Sequence, residues 1–168
     1  ATGTTDLTVS IPDLVILYYY DTVSVSIDAE ALAALAGDTV FANPELDEIL
    51  AVTGGTTSAS ALESSGDLTA DLAISPTSTG LSNATLTLQN AWAVRGLSSF
   101  SYEAGIALGA TPNLTNGGSV IGVSNPAINV GGGSYGTSNV TVPVSGLGTP
   151  TNGNVQLTLD LSTVPFSG

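Results

Sequence analysis

Apolar and polar residues alternate with a period of two along most of this chain. Leu7, Val9 and Ile11 alternate with Thr8 and Ser10, and Val23, Val25 and Ile27 with Ser24 and Ser26. The spacing recurs at Leu68, Ala70, Leu72 and Ile74, at Leu86, Leu88, Trp92 and Val94 with Asn90 in phase, and at Phe100, Tyr102, Ala104, Ile106 and Leu108. Ile128 and Val130, then Val140, Val142 and Val144, then Val155, Leu157, Leu159 and Leu161 complete the series. A period of two sends one set of side chains to a core and the Ser, Thr and Asn set to water, so each run predicts a half-buried strand. Residues 14–20 are apolar in both phases, which predicts a strand covered on both sides or lying in an interface.

Turn chemistry separates the runs. Asn116-Gly117 and Asn152-Gly153 can both take the positive φ angles of tight hairpins. Residues 131–136 read as a loose glycine loop. Pro12, Pro76, Pro112, Pro126, Pro143, Pro150 and Pro165 suit strand ends or edges, because proline cannot donate to a ladder. Two helices interrupt the pattern. Asp28 can cap a helix over 29–36 with Gly37 as its stop, and Asn43-Pro44, followed by Glu45, Asp47 and Glu48, starts a second that runs to near Gly54. The expected fold is all-β: an Ig-like or jelly-roll-type antiparallel β-sandwich with one or two short helices in its connections. Residues 1–12 form an N-terminal extension and 13–168 a single domain.

Composition narrows the function. Of 168 residues 42% are hydrophobic and 9% charged, against about 25% charged in ordinary globular proteins. Fourteen carboxylates face one cation, Arg95, and there is no His, Cys, Met or Lys. Serine triads lack their base, zinc sites their ligands and phosphate loops their lysine, so the chain is expected to be no enzyme and to need no cofactor. A net charge of −13 opposes binding to nucleic acid and to anionic lipid. No run approaches the roughly 18 apolar residues of a membrane helix, so membrane insertion is not expected. The chain opens at Ala1 without a Met, which suits a processed N-terminus and a removed signal peptide, and hence a secreted or cell-surface location. Without disulfides, stability has to come from core area or from neighbouring subunits.

Few residues stand out as sites. Asp38, Glu45, Asp47 and Glu48 form the densest acidic cluster and are weak calcium candidates, because no EF-hand spacing is present and helix-end charges explain them better. Asp67 and Asp71 share a strand face but lie roughly 13 Å apart at about 3.3 Å per residue, too far for the 5–9.5 Å or so of paired glycosidase carboxylates. Trp92 reads as core, and Arg95 as a partner for a carboxylate. Asn83, Asn113 and Asn139 each open an Asn-X-Thr glycosylation sequon.

Residues 4–12 are the most suggestive stretch: an amphipathic strand followed by Pro12-Asp13. Such a strand either opens its own sheet or completes a neighbour's by strand addition, with Leu7, Val9 and Ile11 as the plugging residues. With the strand pattern that follows and the closing run 155–161, the chain resembles the subunits of donor-strand-exchanged filaments, the pilins of chaperone–usher pili and similar secreted β-sandwich fibre proteins. It departs from them in having no Cys, no C-terminal aromatic signature in Val164-Pro165-Phe166-Ser167-Gly168, and a helical insertion. The resemblance implies a secreted structural subunit that polymerises head-to-tail with copies of itself into a pilus-like filament, with or without an assembly chaperone. The subunit interface would use Leu7, Val9, Ile11, Leu14, Ile16, Tyr18 and Tyr20. The alternative is a cell-surface carbohydrate-binding, adhesin or surface-layer module presenting Tyr18, Tyr20, Tyr102 or Tyr135.

Overall fold

The computed structural model describes residues 8–20, 23–27, 50–54, 68–74, 83–98, 100–116, 119–143 and 145–162. Ten strands lie among them: β1 (Leu14–Tyr19), β2 (Val23–Ile27), β3 (Leu50–Gly54), β4 (Thr69–Ile74), β5 (Asn83–Leu97), β6 (Tyr102–Gly105), β7 (Asn113–Asn116), β8 (Ser119–Val130), β9 (Asn139–Val142) and β10 (Gly146–Asp160). The fold is all-β and its sheets are antiparallel, as the period-two pattern predicts. No helix occurs among the described residues. The helix expected over 29–36 and the start of the second lie outside them. The second helix was expected to reach Gly54, and there the structure corrects the sequence: Leu50–Gly54 is a strand paired with β2, where β-branched Val52 and Thr53 fit a pleat better than a helical turn.

The main sheet runs β1-β5-β10-β8-β7, with β4 also on β5. β4 and β1 lie end to end along one edge of β5, β4 opposite residues 84–89 and β1 opposite 92–97. Two two-stranded sheets, β2-β3 and β6-β9, supply residues that pack against it. Val23 and Val25 of β2 meet a buried cluster of Ala84, Leu86, Leu88, Leu159 and Leu161. Tyr102, Ala104 and Val140 meet a second cluster of Trp92, Val94, Ile128 and Val142. Ala91 and Val155 pack against both, so the core is continuous. At about 1.5–3 kcal/mol for each large apolar side chain fully buried, these two clusters are the main stabilising feature among the described residues.

Two irregularities decide which side chains reach that core. Along β10 the register steps from Val155 to Gly153 while β5 steps from Leu88 to Trp92, so β5 carries two extra residues. Asn90, at φ 55°, turns the bulge, and its N–H donates to Asn154 Oδ1 at 2.9 Å. An even insertion preserves phase, so Leu88 and Trp92 face the same way. In β8 the step from Ser124 to Ala127 opposes Thr158 to Gln156, one extra residue, with Asn125 at φ 50° followed by Pro126. An odd insertion reverses phase, and the inward set changes from Ile121 and Val123 to Ile128 and Val130.

Near the first predicted hairpin β7 and β8 do pair, with Asn116 as a strand residue and not a turn residue. Asn116 lies opposite Ser119, joining β7 to β8. Asn152-Gly153 instead lies inside β10, with Gly153 opposite both Trp92 and Val130, so pairing on both sides overrides the local turn preference. The loop at 131–136 is tied down, not loose. Ile128 and Gly136 exchange backbone hydrogen bonds of 2.8 and 2.9 Å, and Gly133 N–H donates to the Val130 carbonyl at 2.9 Å.

Candidate functional site

The site grows from the one strand that is apolar in both phases. Val15, Leu17 and Tyr19 lie opposite Gly96, Val94 and Trp92, and therefore share the core-side face of the main sheet. They are nonetheless 49%, 53% and 44% exposed. On the other side stands β6, continued by Ile106. Between them runs a groove of about 640 Å³, lined also by Trp92, Val94, Ala104, Ile128 and Val142. Its lining is mostly apolar, with Glu103 as its one carboxylate among the described residues. Among the described residues β1 forms a ladder only with β5 and β6 only with β9, so neither flanking strand has a second ladder there. Apolar positions at a two-residue spacing beside a strand edge are the two features that strand addition uses.

One end of the groove is closed. The Tyr102 ring lies over Gly96, where a Cβ would collide with the ring and its hydroxyl. That hydroxyl donates to the Leu14 carbonyl at 3.4 Å, linking β6 to the start of β1.

No family model matches this chain, and no curated protein or solved structure is detectably similar to it. The groove's function therefore has to be argued from its own geometry.

The segment leading into β1 is the second half of that geometry. Residues 8–13 form no strand, and Val9 and Ile11 are 69% and 67% exposed. The strand expected over 4–12 is thus not paired within its own chain at residues 8–12, because no described strand of this chain lies beside it. Leu7 lies outside the described residues.

The other predicted positions are placed as follows. Leu14, Ile16 and Tyr18 occupy the face of β1 opposite the groove, where Ile16 is the register partner of Arg95. Tyr20, just past β1, lines the groove with Tyr19. Arg95 meets a backbone carbonyl and a ring: Nη1 donates to the Leu147 carbonyl at 3.2 Å and the guanidinium lies 5.8 Å from the Tyr18 ring centroid. Trp92 is core, as expected. Asn83, Asn113 and Asn139 are exposed first residues of β5, β7 and β9. Asp38, Glu45, Asp47 and Glu48 lie outside the described residues. Tyr135 reaches from the glycine loop to the polar face of the main sheet, where its hydroxyl meets the Thr87 and Asn154 side chains, and burial raises its pKa. Gln156 Nε2 donates to Thr87 Oγ1 at 3.1 Å in the same polar patch.

Of the predicted Leu14, Ile16, Tyr18 and Tyr20, Tyr20 alone lines the groove, whose β1 wall is the odd-numbered set Val15, Leu17 and Tyr19. The run's double apolarity was the available signal. Only the pairing of Val15 with Gly96 fixes which phase faces the core.

Proposed function

We propose that this chain is the structural subunit of an extracellular filament, a β-sandwich-type domain that donates residues 4–12 to the groove of the next copy. The observation that carries the reading is an apolar groove left open by the described residues, in the same chain as an exposed segment that matches it. Val15, Leu17 and Tyr19 present three apolar side chains at a two-residue spacing. Leu7, Val9 and Ile11 do the same over an equal length, roughly 13 Å at about 3.3 Å per residue. Backbone bonds to the edge of β1 or β6 that carries no ladder among the described residues would supply affinity, and the alternate side chains would fill the groove. Each copy both gives and receives, so the contact is head-to-tail and propagates without closing. A surface with few charges and a chain with few reactive side chains fit a subunit whose product is its own assembly.

The test is direct. Electron microscopy and size-exclusion chromatography of the purified chain should show polymers, and a variant lacking residues 1–12 should be monomeric with its fold intact, since the described core draws nothing from that segment. A full-length chain that is strictly monomeric, with its segment open to proteolysis, overturns the proposal.

Charge adds a kinetic expectation. Copies at −13 each repel one another. Raising ionic strength from about 10 mM to about 150 mM shortens the screening length from about 30 to about 8 Å. Light scattering should then show assembly accelerating with salt; assembly that slows with salt would point to an ion-paired contact instead.

A further inference from the structure

Resting on that reading, we infer that the chain is built to keep its own segment out of its own groove, with Leu14 and Tyr102 as the residues that enforce filling by a second copy. The segment runs straight into β1, so self-filling requires a hairpin at Pro12-Asp13. A two-residue loop of Pro12 and Asp13 would set Ile11 opposite Leu14, Val9 opposite Ile16 and Leu7 opposite Tyr18. Directly paired residues share a face, and that face is the one away from the groove. Thr8 and Ser10 would then enter the apolar cleft. Proline at the first loop position also blocks the turn, because tight hairpin loops need a positive φ there.

Lengthening the loop by one residue, to Pro12-Asp13-Leu14, restores the phase: Ile11 would meet Val15, Val9 would meet Leu17 and Leu7 would meet Tyr19. Three-residue hairpins of this kind place their last residue in the left-handed region, which glycine enters freely and leucine rarely does. Leu14 is further committed to its pairing with Leu97. Its carbonyl accepts from Tyr102, whose ring stands over Gly96 at the end of the groove where such a turn would have to form. A strand arriving from a second copy meets none of these obstacles.

Leu14→Gly creates Pro-Asp-Gly, the sequence that a three-residue hairpin favours. The substitution should convert polymer to monomer, with at least a roughly tenfold fall in polymer at equal concentration and with residues 8–12 protected from proteolysis in the monomer. Leu14→Ala removes the same side chain but keeps the barrier to the left-handed region, and it should polymerise like the unmodified chain. If both variants polymerise equally, or both fail equally, the inference is overturned. An unmodified chain that is monomeric with residues 8–12 protected also overturns it, since the groove would then be self-filled. An unmodified monomer whose segment is cleaved overturns the filament reading instead.

Discussion

Replacing Gly153 with alanine should lower stability by about 3 kcal/mol, at the upper end of what overpacking a well-filled core costs. Gly153 lies in the middle of β10, paired with Trp92 on one side and Val130 on the other. A Cβ there would overlap Cε2 and Cζ2 of the Trp92 indole and the Asn129 carbonyl. Neither neighbour can yield cheaply. The indole is 5% exposed within the second core cluster, and the carbonyl belongs to a paired strand. Asn129 itself is held on two sides, its Oδ1 accepting from Asn154 N–H at 3.2 Å and its Nδ2 donating to the Gly133 carbonyl at 2.9 Å. For a chain of this size the cost corresponds to a melting point lower by roughly 6–12 °C. Gly122→Ala is the control. Its Cβ would meet the Asp160 Cβ at 3.4 Å, an ordinary contact, and the change should be neutral or stabilising by up to about 1 kcal/mol. Thermal unfolding followed by circular dichroism compares the two. Equal melting points for both variants would show that the Trp92–Gly153 packing is not tight.

The same glycine shows why part of this fold was legible in the sequence and part was not. Where pairing leaves the period of two intact, the strands could be read. β5 keeps its phase because its bulge holds two residues, so Leu86, Leu88, Trp92 and Val94 alternate as though the strand were regular. β8 does not, because a single extra residue at Asn125-Pro126 reverses its phase, and only Ile128 and Val130 stand out as an alternating pair. The first half of β10 carries Gly146, Gly148, Pro150 and Gly153, which signal turns locally. Gly153 lies in the strand because β5 and β8 pair with it from both sides and the space its side chain would have filled belongs to Trp92, whereas Gly146 is held by β5 alone. β3 and β7 are short and were not foreseen. The candidate site divides in the same manner. The alternating segment 4–12 and the doubly apolar 14–20 are local patterns and were visible. The groove between β1 and β6 is formed by residues almost ninety positions apart, and no local pattern encodes it.

Adding the 4–12 peptide to the variant lacking residues 1–12 should stabilise it and change the environment of Trp92. The peptide would bring Leu7, Val9 and Ile11 against Val15, Leu17 and Tyr19, closing a cleft whose apolar walls are half-exposed in the single chain. A ligand that binds only the folded state at about 100 times its Kd contributes about 2.7 kcal/mol, which raises the melting point of a chain of this size by roughly 5–10 °C. Trp92 is the only tryptophan of the chain and lines the groove, so its emission intensity should change in step with the rise. A peptide with Val9→Asp should do neither, because its central side chain would carry an unpaired charge into an apolar cleft at a cost of several kcal/mol. Moving the apolar residues by one position is no control, since a free peptide can slide one step in register and recover its phase. The tethered segment cannot slide, and there the residue at position 14 decides whether phase can be recovered. If the two peptides act alike, or neither acts, the groove does not read alternating side chains, and a small apolar ligand becomes the better occupant for a cavity of this size.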